Sequence, residues 1–511
     1  MMKTKIFFTT LLLFAIGGSY AQNKSNWYNL DLKTDGVFGI SIDKSYNELL
    51  IGKKPVPVVV AVIDGGLDVN HEDLKKVVWT NLKEIPGNGL DDDKNGYIDD
   101  VNGWNFLGSS KESFEYDNYM IVMEIRKYQA KFGDKDSTAI KKKDLSEYRK
   151  YIAKRKELNQ KIEKLNQDIF STTQLLTDVE AVQKKLGKTN PTREDFVNFV
   201  PATAAEAQAK NFMTAVLQNN PDFNGYIAQT KAQLEELQHD LQYHFNIDYN
   251  PRSKYPDEFS AARGRFYGNG NLYGNVPPAH GTHVGGIVAA ERSNNIGIDG
   301  VADAVKIMAI RAIPDGESLT DDQANAIRYA AENGAKVINM SFGLNPSTNR
   351  KALEDAVNYA LSKDILFIQA AGNGHDNLDS SNGYPSRQNT ADKKFLDAFI
   401  KVGASGYADS EQLPVPFSNY GKLSVDVFAP GGEIKSTIPD NLYLIRGGTS
   451  MASPVVAGLA AVIREYYPKL TAKQVKEIIV KSVVKRDALK NLCISGGVVN
   501  AFNALTLAST Y

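Results

Sequence analysis

"VPVVVAVIDGGLD", residues 56–68, is the stretch on which the reading of the whole chain turns. Its β-branched and small apolar residues run together up to Asp64, where Gly65 and Gly66 end them. Apolar at nearly every position rather than at every second one, the run fits a short strand buried on both faces. Similar runs recur at 305–312 (VKIMAIRA), 335–343 (AKVINMSFG), 364–373 (DILFIQAAGN) and 399–405 (FIKVGAS). Helical patterns separate several of them, at 320–334 (TDDQANAIRYAAENG) and 349–363 (NRKALEDAVNYALSK). Alternation of this kind predicts an α/β domain, a mainly parallel sheet with helices on both faces. Ligands of such sheets bind beyond the carboxyl ends of the strands, where Asp64 would stand.

Between residues 111 and 260 the character changes. From Asp134 to Leu186 there is neither Gly nor Pro, and charges are dense. Leu158, Ile162, Leu165, Ile169, Leu176, Val179 and Leu186 follow the 4-3 alternation of a heptad seam, interrupted at Thr172 and Gln183. Thr203 to Glu206 resembles a capping box opening a second helix, and Ile227, Leu234, Leu237 and Leu241 mark a third. These predict an all-α inserted subdomain, an antiparallel hairpin or a small bundle.

The chain has 511 residues and a net charge of −1, so no basic field argues for nucleic acid. Lys3 and Lys5, an apolar run from Ile6 to Ile16, and "GGSYA" before Gln22 have the form of a secretory signal peptide over residues 1–21. The apolar run is too short to span a bilayer, and no later stretch is apolar enough to do so. An exported chain, periplasmic, cell-surface or extracellular, follows. Its one cysteine, Cys493, allows no disulfide framework and has no nearby His to activate it.

Three segments carry chemistry: Asp64 at its strand end, His280 in "AHGTHVGGIVAA" (279–290), and Ser450 in "GGTSMASPVVAGLAA" (447–461). A serine hydroxyl needs a base to become a nucleophile, and imidazole titrates in the right range to serve. The imidazole in turn needs a carboxylate to fix its tautomer. Together, and in the order Asp, His, Ser, these strings resemble the subtilisin-like serine proteases (subtilases) over residues 56–108 and 262–507. The resemblance implies that Ser450 is the nucleophile, His280 the base and acid, and Asp64 the orienting carboxylate. It makes Asn373, in "QAAGNGHD", the side-chain donor to the oxyanion, with the Ser450 N–H as the second. His283, in the same string as His280, is expected to pack or hydrogen-bond nearby.

The same resemblance implies that Ser341, Phe342 and Gly343 pair with an extended substrate, and that Gly383, in "NGYPS" (382–386), floors a pocket open to large apolar groups. Two calcium sites are expected. By resemblance, Asp73 joins Asn294 or Asn295 and the carbonyls of Ile296 and Ile298. The second rests on "NGLDDDKNGYIDDVNGWNF" (88–106), where Asp91, Asp93 and Asn95 alternate before Gly96, the Tyr97 carbonyl and Asp99. That is the first part of an EF-hand-like loop, in which a hard cation takes oxygens from alternate residues. Position 12 is Asn102 rather than Glu, so Asp99 or Asp100 would have to replace it. A solvated Asn-Gly turn is the other reading.

The expected organisation is a signal peptide (1–21), a short N-terminal segment (22–55), a discontinuous peptidase domain (56–110 and 261–511) and the helical insertion (111–260). The 22–55 segment is too short for the folded pro-domain usual in the family. The expected function is a secreted serine endopeptidase of broad or apolar preference, acting on proteins or peptides with structural calcium. The alternatives are a narrow processing protease whose insertion gates the cleft, and a non-catalytic binding protein on a protease fold.

Overall fold

From Val58 to Asp64 every side chain except that of Val59 is buried, as the unbroken apolar run requires (β1, Val58–Asp64). In the computed structural model, which describes residues 26–257, 259, 264–344, 348–380, 384 and 397–511, this strand lies inside a nine-stranded sheet. The other strands are β2 (Gly103–Asn105), β3 (Val305–Arg311), β4 (Val337–Met340), β5 (Leu366–Ala370), β6 (Phe399–Ser405) and β7 (Val427–Pro430). A hairpin, β8 (Ile434–Ile438) with β9 (Leu442–Arg446), stands apart from the sheet, and β10 (Val484–Lys485) and β11 (Gly497–Val498) finish it. The order is β10-β11-β7-β6-β5-β4-β1-β3-β2, parallel throughout except for the β10–β11 pair.

The chain lays β2 and β3 on one side of β1 and β4 to β7 on the other, so its winding reverses at β1. Open α/β sheets bind ligands at the carboxyl ends beside such a reversal. The α/β reading of the sequence therefore holds, and it puts Asp64, Ser341 and Asn373 near one edge.

The apolar core gathers around the helix Thr449–Tyr466, whose Val455, Val456, Leu459 and Val462 are fully buried. Residues 26–50 belong to the same core. Trp27, Tyr28, Ile40, Ile42 and Leu50 join its cluster, and the Tyr28 hydroxyl and Asn29 amide both donate to the Asp299 carbonyl at 2.8 Å. The short N-terminal segment is thus a structural part of the sheet unit. The leader expected at 1–21 lies outside the described residues. Among the described residues no helix is long and apolar enough to cross a membrane.

Two compact units emerge: residues 1–113, 265–313 and 319–511 form one, and 114–264 with 314–318 the other. The sequence drew the insertion at 111–260. The 265–278 segment returns to the sheet unit because Asn105 and Asn269 form an antiparallel bridge beside β2. Residues 314–318 join the helical unit because Asp117 and Asp315 exchange backbone hydrogen bonds with each other's segments.

The helical unit is built on one helix of 42 residues, Leu145–Leu186, ended by Gly187 in the left-handed region. It starts later than the Gly- and Pro-free run suggested, because Asp136 accepts from the Thr138 and Ala139 amides and closes a separate short turn. Leu158, Leu165, Leu176 and Val179 of the seam are buried, with Ile162 and Leu186 partly so. Ala204–Asn219 and Phe223–His239 pack near its far end around Val182, Phe196 and Met213. Thr203 does cap the first of these, accepting from the Glu206 amide at 3.2 Å. A second cluster, around Phe132, Tyr148 and Tyr151, covers the near end.

Candidate active site

Asp64 ends β1 with its carboxylate buried, one oxygen taking the Gly65 amide at 2.8 Å. His280 lies in the first turn of the helix Ala279–Ala289. Its Nδ1 donates to both Asp64 oxygens, at 2.8 and 3.0 Å. Gly281 makes this approach feasible. A Cβ there would sit 2.0 Å from the Gly66 carbonyl and 3.0 Å from Asp64 Cβ. About 40% of the His280 side chain remains exposed, so its other nitrogen is open to a reactant. Loss of solvent pulls the imidazolium's pKa down, but the charge of Asp64 and its hydrogen bond outweigh that, and the net shift is upward from 6.5. Arg446, at the end of β9, opposes the rise.

Ser450 follows Thr449 at the start of its helix, where the first amides have no intrahelical partner. Its hydroxyl donates to the Ser341 carbonyl at 3.1 Å, and no hydrogen bond to His280 is recorded among the described residues. Ser341 holds the same residue a second time, its own hydroxyl donating to the Ser450 carbonyl at 2.9 Å. Catalytic hydrogen bonds are often long or absent without substrate.

Asn373 stands three residues beyond β5. Its Oδ1 accepts from the Thr449 amide and hydroxyl, both at 2.9 Å, which leaves Nδ2 as the outward donor. That nitrogen lies 3.5 Å from where a Cβ on Gly448 would be, so the glycine keeps the approach to the donor clear. Asn419 braces the loop from both sides. It donates to the Ala371 carbonyl at 2.9 Å and accepts from the Gly374 and Asp376 amides at 2.9 and 2.8 Å. Asn419 and Arg446 carry no signal in residue order, since nothing in their spacing ties them to Asn373 or His280.

His283 is fully buried and donates from Nε2 to the Leu444 carbonyl at 3.0 Å. Burial pushes its pKa down to about 4, so it is a neutral packing residue. Ser341, Phe342 and Gly343 continue β4. The Phe342 carbonyl takes the Gln369 amide at 3.2 Å and the Gly343 carbonyl the Gln323 amide at 3.4 Å. Gly383 lies outside the described residues.

Asp73 accepts from Asn294 Nδ2 at 2.7 Å and from the Ile298 amide at 3.1 Å, while Asn294 Oδ1 takes the Ile296 amide. Asn295 sits in the left-handed region. These contacts gather Asp73, Asn294, Ile296 and Ile298 into one cluster. In the second calcium set Asp91 is tied to the Asn95 and Gly96 amides, and Asp99 to those of Gly87 and Gly89. Asn95 Oδ1 takes the Tyr97 amide. Asp93 meets Glu84 and Asp100, Asn95 Nδ2 also donates to Asp100, and Asp91 and Asp93 share the Asn95 amide.

Comparison with known proteins agrees with this geometry. The model of the subtilase family matches residues 57–496. A thermophilic serine proteinase of Bacillus sp. (strain AK1) is 41% identical over 235 residues, 44% of this chain and 52% of that protein. Subtilisin DY of Bacillus licheniformis is 40% identical over 215 residues, 42% of this chain and 73% of its own length. Thermitase of Thermoactinomyces vulgaris is 40% identical over 185 residues, 36% of this chain and 60% of its own length. The match thus spans about half of the first relative and most of the second. With the family model covering most of the sequence and the Asp64–His280 pair, Ser450 and Asn373 gathered at one sheet edge, the chain belongs to the subtilase family of serine endopeptidases.

Proposed function

We propose that this chain is an exported endopeptidase that cleaves peptide bonds through an acyl-enzyme, with broad or apolar preference. The observation that carries the reading is the paired contact of His280 Nδ1 with both Asp64 oxygens, which leaves Nε2 as the base. An extended substrate lies along residues 341–343, and its backbone N–H takes the Ser341 carbonyl. That contact releases the Ser450 hydroxyl to turn toward His280. The Ser450 oxygen then attacks the scissile carbonyl carbon while its proton passes to His280 Nε2. Asn373 Nδ2 and the Ser450 amide donate to the oxyanion. The C–N bond breaks as His280 returns the proton to the leaving amine, and water repeats the sequence on the ester.

Asp64 contributes orientation and charge. It holds the Nδ1–H tautomer and stabilises the imidazolium that forms during attack. Export rests on the leader-like first 21 residues. The test compares the full chain with Ser450→Ala on a diverse peptide library. Ser450-dependent cleavage at several sites is expected, and an unchanged digest in the variant would refute the reading. N-terminal sequencing of the exported protein should begin at Gln22.

A further inference from the structure

Pro454 lies four residues after Ser450, inside the helix Thr449–Tyr466 that carries the nucleophile. In an α-helix each carbonyl takes the N–H of the residue four positions on. Proline has no N–H to give, and its ring presses on the carbonyl four residues back. The Ser450 carbonyl is therefore left without its helical donor. A backbone carbonyl removed from water in that state needs another partner.

The partner is the Ser341 hydroxyl, which donates to it at 2.9 Å. A serine hydroxyl has one proton to give and two lone pairs to fill. With its proton on the Ser450 carbonyl, Ser341 Oγ must accept from its other two neighbours. These are Ser453 Oγ at 3.0 Å and Asn339 Nδ2 at 3.1 Å. Asn339 and Ser453 are fully buried and Ser341 nearly so, which keeps solvent out of the arrangement. The Ser341 proton thus has one place to go, the carbonyl of the nucleophile. Asn339 is kept there at a cost, since its Oδ1 is buried with no hydrogen-bond partner among the described residues. A buried amide with one half unmet lowers stability, so packing alone does not explain an asparagine at this point of β4.

The contact matters most once substrate is bound. Without substrate Ser341 holds the nucleophile twice, because its carbonyl also accepts the Ser450 hydroxyl at 3.1 Å. In the reaction set out above, a substrate N–H takes that carbonyl and the Ser450 hydroxyl turns to His280. The Ser341 Oγ contact then carries the link between residue 450 and β4. On the other side Thr449 is fastened to the oxyanion loop. Its amide and hydroxyl meet Asn373 Oδ1, and its Oγ1 takes the Gly372 amide at 2.9 Å. The nucleophile is strung between these two attachments, and Asn339 sets one of them.

We propose that Asn339 is a positioning residue: through the Ser341 hydroxyl it replaces the helical hydrogen bond that Pro454 removes, and so fixes Ser450 for attack. The inference rests on the catalytic reading, and the experiment separates the two. kcat and KM are measured on peptides from the library, together with the rate at which phenylmethanesulfonyl fluoride labels Ser450. Ser341→Ala keeps the backbone carbonyl and should lower kcat and the labelling rate by about 10- to 100-fold, the scale of a slightly misplaced reacting group. Asn339→Ala should lower both by about 10-fold and leave KM within about twofold of the parent. The pair combined should be no slower than Ser341→Ala alone. The decisive arm is Pro454→Ala, which restores an N–H four residues from Ser450. Added to Ser341→Ala, it should recover several-fold of the lost kcat, a rescue that a role in stability alone would not produce. If Asn339→Ala does not fold by circular dichroism, Ser341→Ala and its rescue carry the test. Unchanged kcat in the folded variants, or a Pro454→Ala loss that simply adds to that of Ser341→Ala, would overturn the proposal and leave the catalytic reading intact. A parent with neither Ser450-dependent cleavage nor labelling would overturn both.

Discussion

The residues of the active site and those of the acidic loop make opposite use of sequence. Asp64 and His280 are 216 positions apart, yet the sheet edge brings them to 2.8 Å. Asp91, Asp93, Asn95 and Asp99 fall within nine positions, yet Asp99 takes the Gly87 and Gly89 amides while Asp91 and Asp93 share the Asn95 amide. The difference teaches that distance along the chain is a poor guide to convergence. A strand end and two helix starts are rigid, and they aim side chains that their strings name. A turn-rich loop satisfies its own amides first, and only what is left over can face a ligand.

The largest expected effect tests the first half of that comparison. Ser450→Ala should lower kcat by about 10⁶-fold, the loss established for subtilisin, a relative, and not a figure derived from this molecule. Residual activity well above that level would mean the convergence at the sheet edge is not the catalytic one. Asn373→Ala should cost about 10²- to 10³-fold in turnover with little change in KM, again the range known from subtilisin. Asn419→Ala should reproduce part of this loss. Combined with Asn373→Ala it should add almost nothing, since Asn419 acts through the loop it braces. Full additivity would show that Asn419 has a separate role.

The second half of the comparison predicts a smaller, purely structural effect. Chelation should lower the melting temperature of the sheet unit by on the order of 5 °C, as expected when a ligand near 100 Kd is withdrawn. Differential scanning calorimetry checks this, and an unchanged transition would count against both expected calcium sites.

The smallest effect concerns pH. Activity requires neutral His280, whose pKa is raised above 6.5, so kcat/KM should climb with pH through a limb lying above that value. Arg446 disfavours the imidazolium, and Arg446→Gln should therefore shift the limb to still higher pH. A shift to lower pH would show that Arg446 acts on His280 in some other way.

Much of this molecule was legible from residue order. The apolar runs ended by Gly or Asp gave each of the strands read from them, because parallel strands buried on both faces leave little freedom in composition. The strings around Asp64, His280 and Ser450 identified the family, since close backbone approach at Gly281 and Gly448 leaves those positions few alternatives. The heptad seam gave the long helix, although its start was hidden by the short turn that Asp136 closes.

Other features belonged to tertiary structure alone. The 22–55 segment read only as too short for a folded pro-domain, but burial of Trp27 and Tyr28 makes residues 26–50 core, and no local pattern announces which partner an aromatic will find. Asn419 is invisible in sequence because its three hydrogen bonds go to a loop more than forty residues away. The chain order determined which residues could do chemistry, through local propensity and the chemistry of the side chains themselves. Which of them meet was decided by the directions in which packed elements and satisfied amides point them.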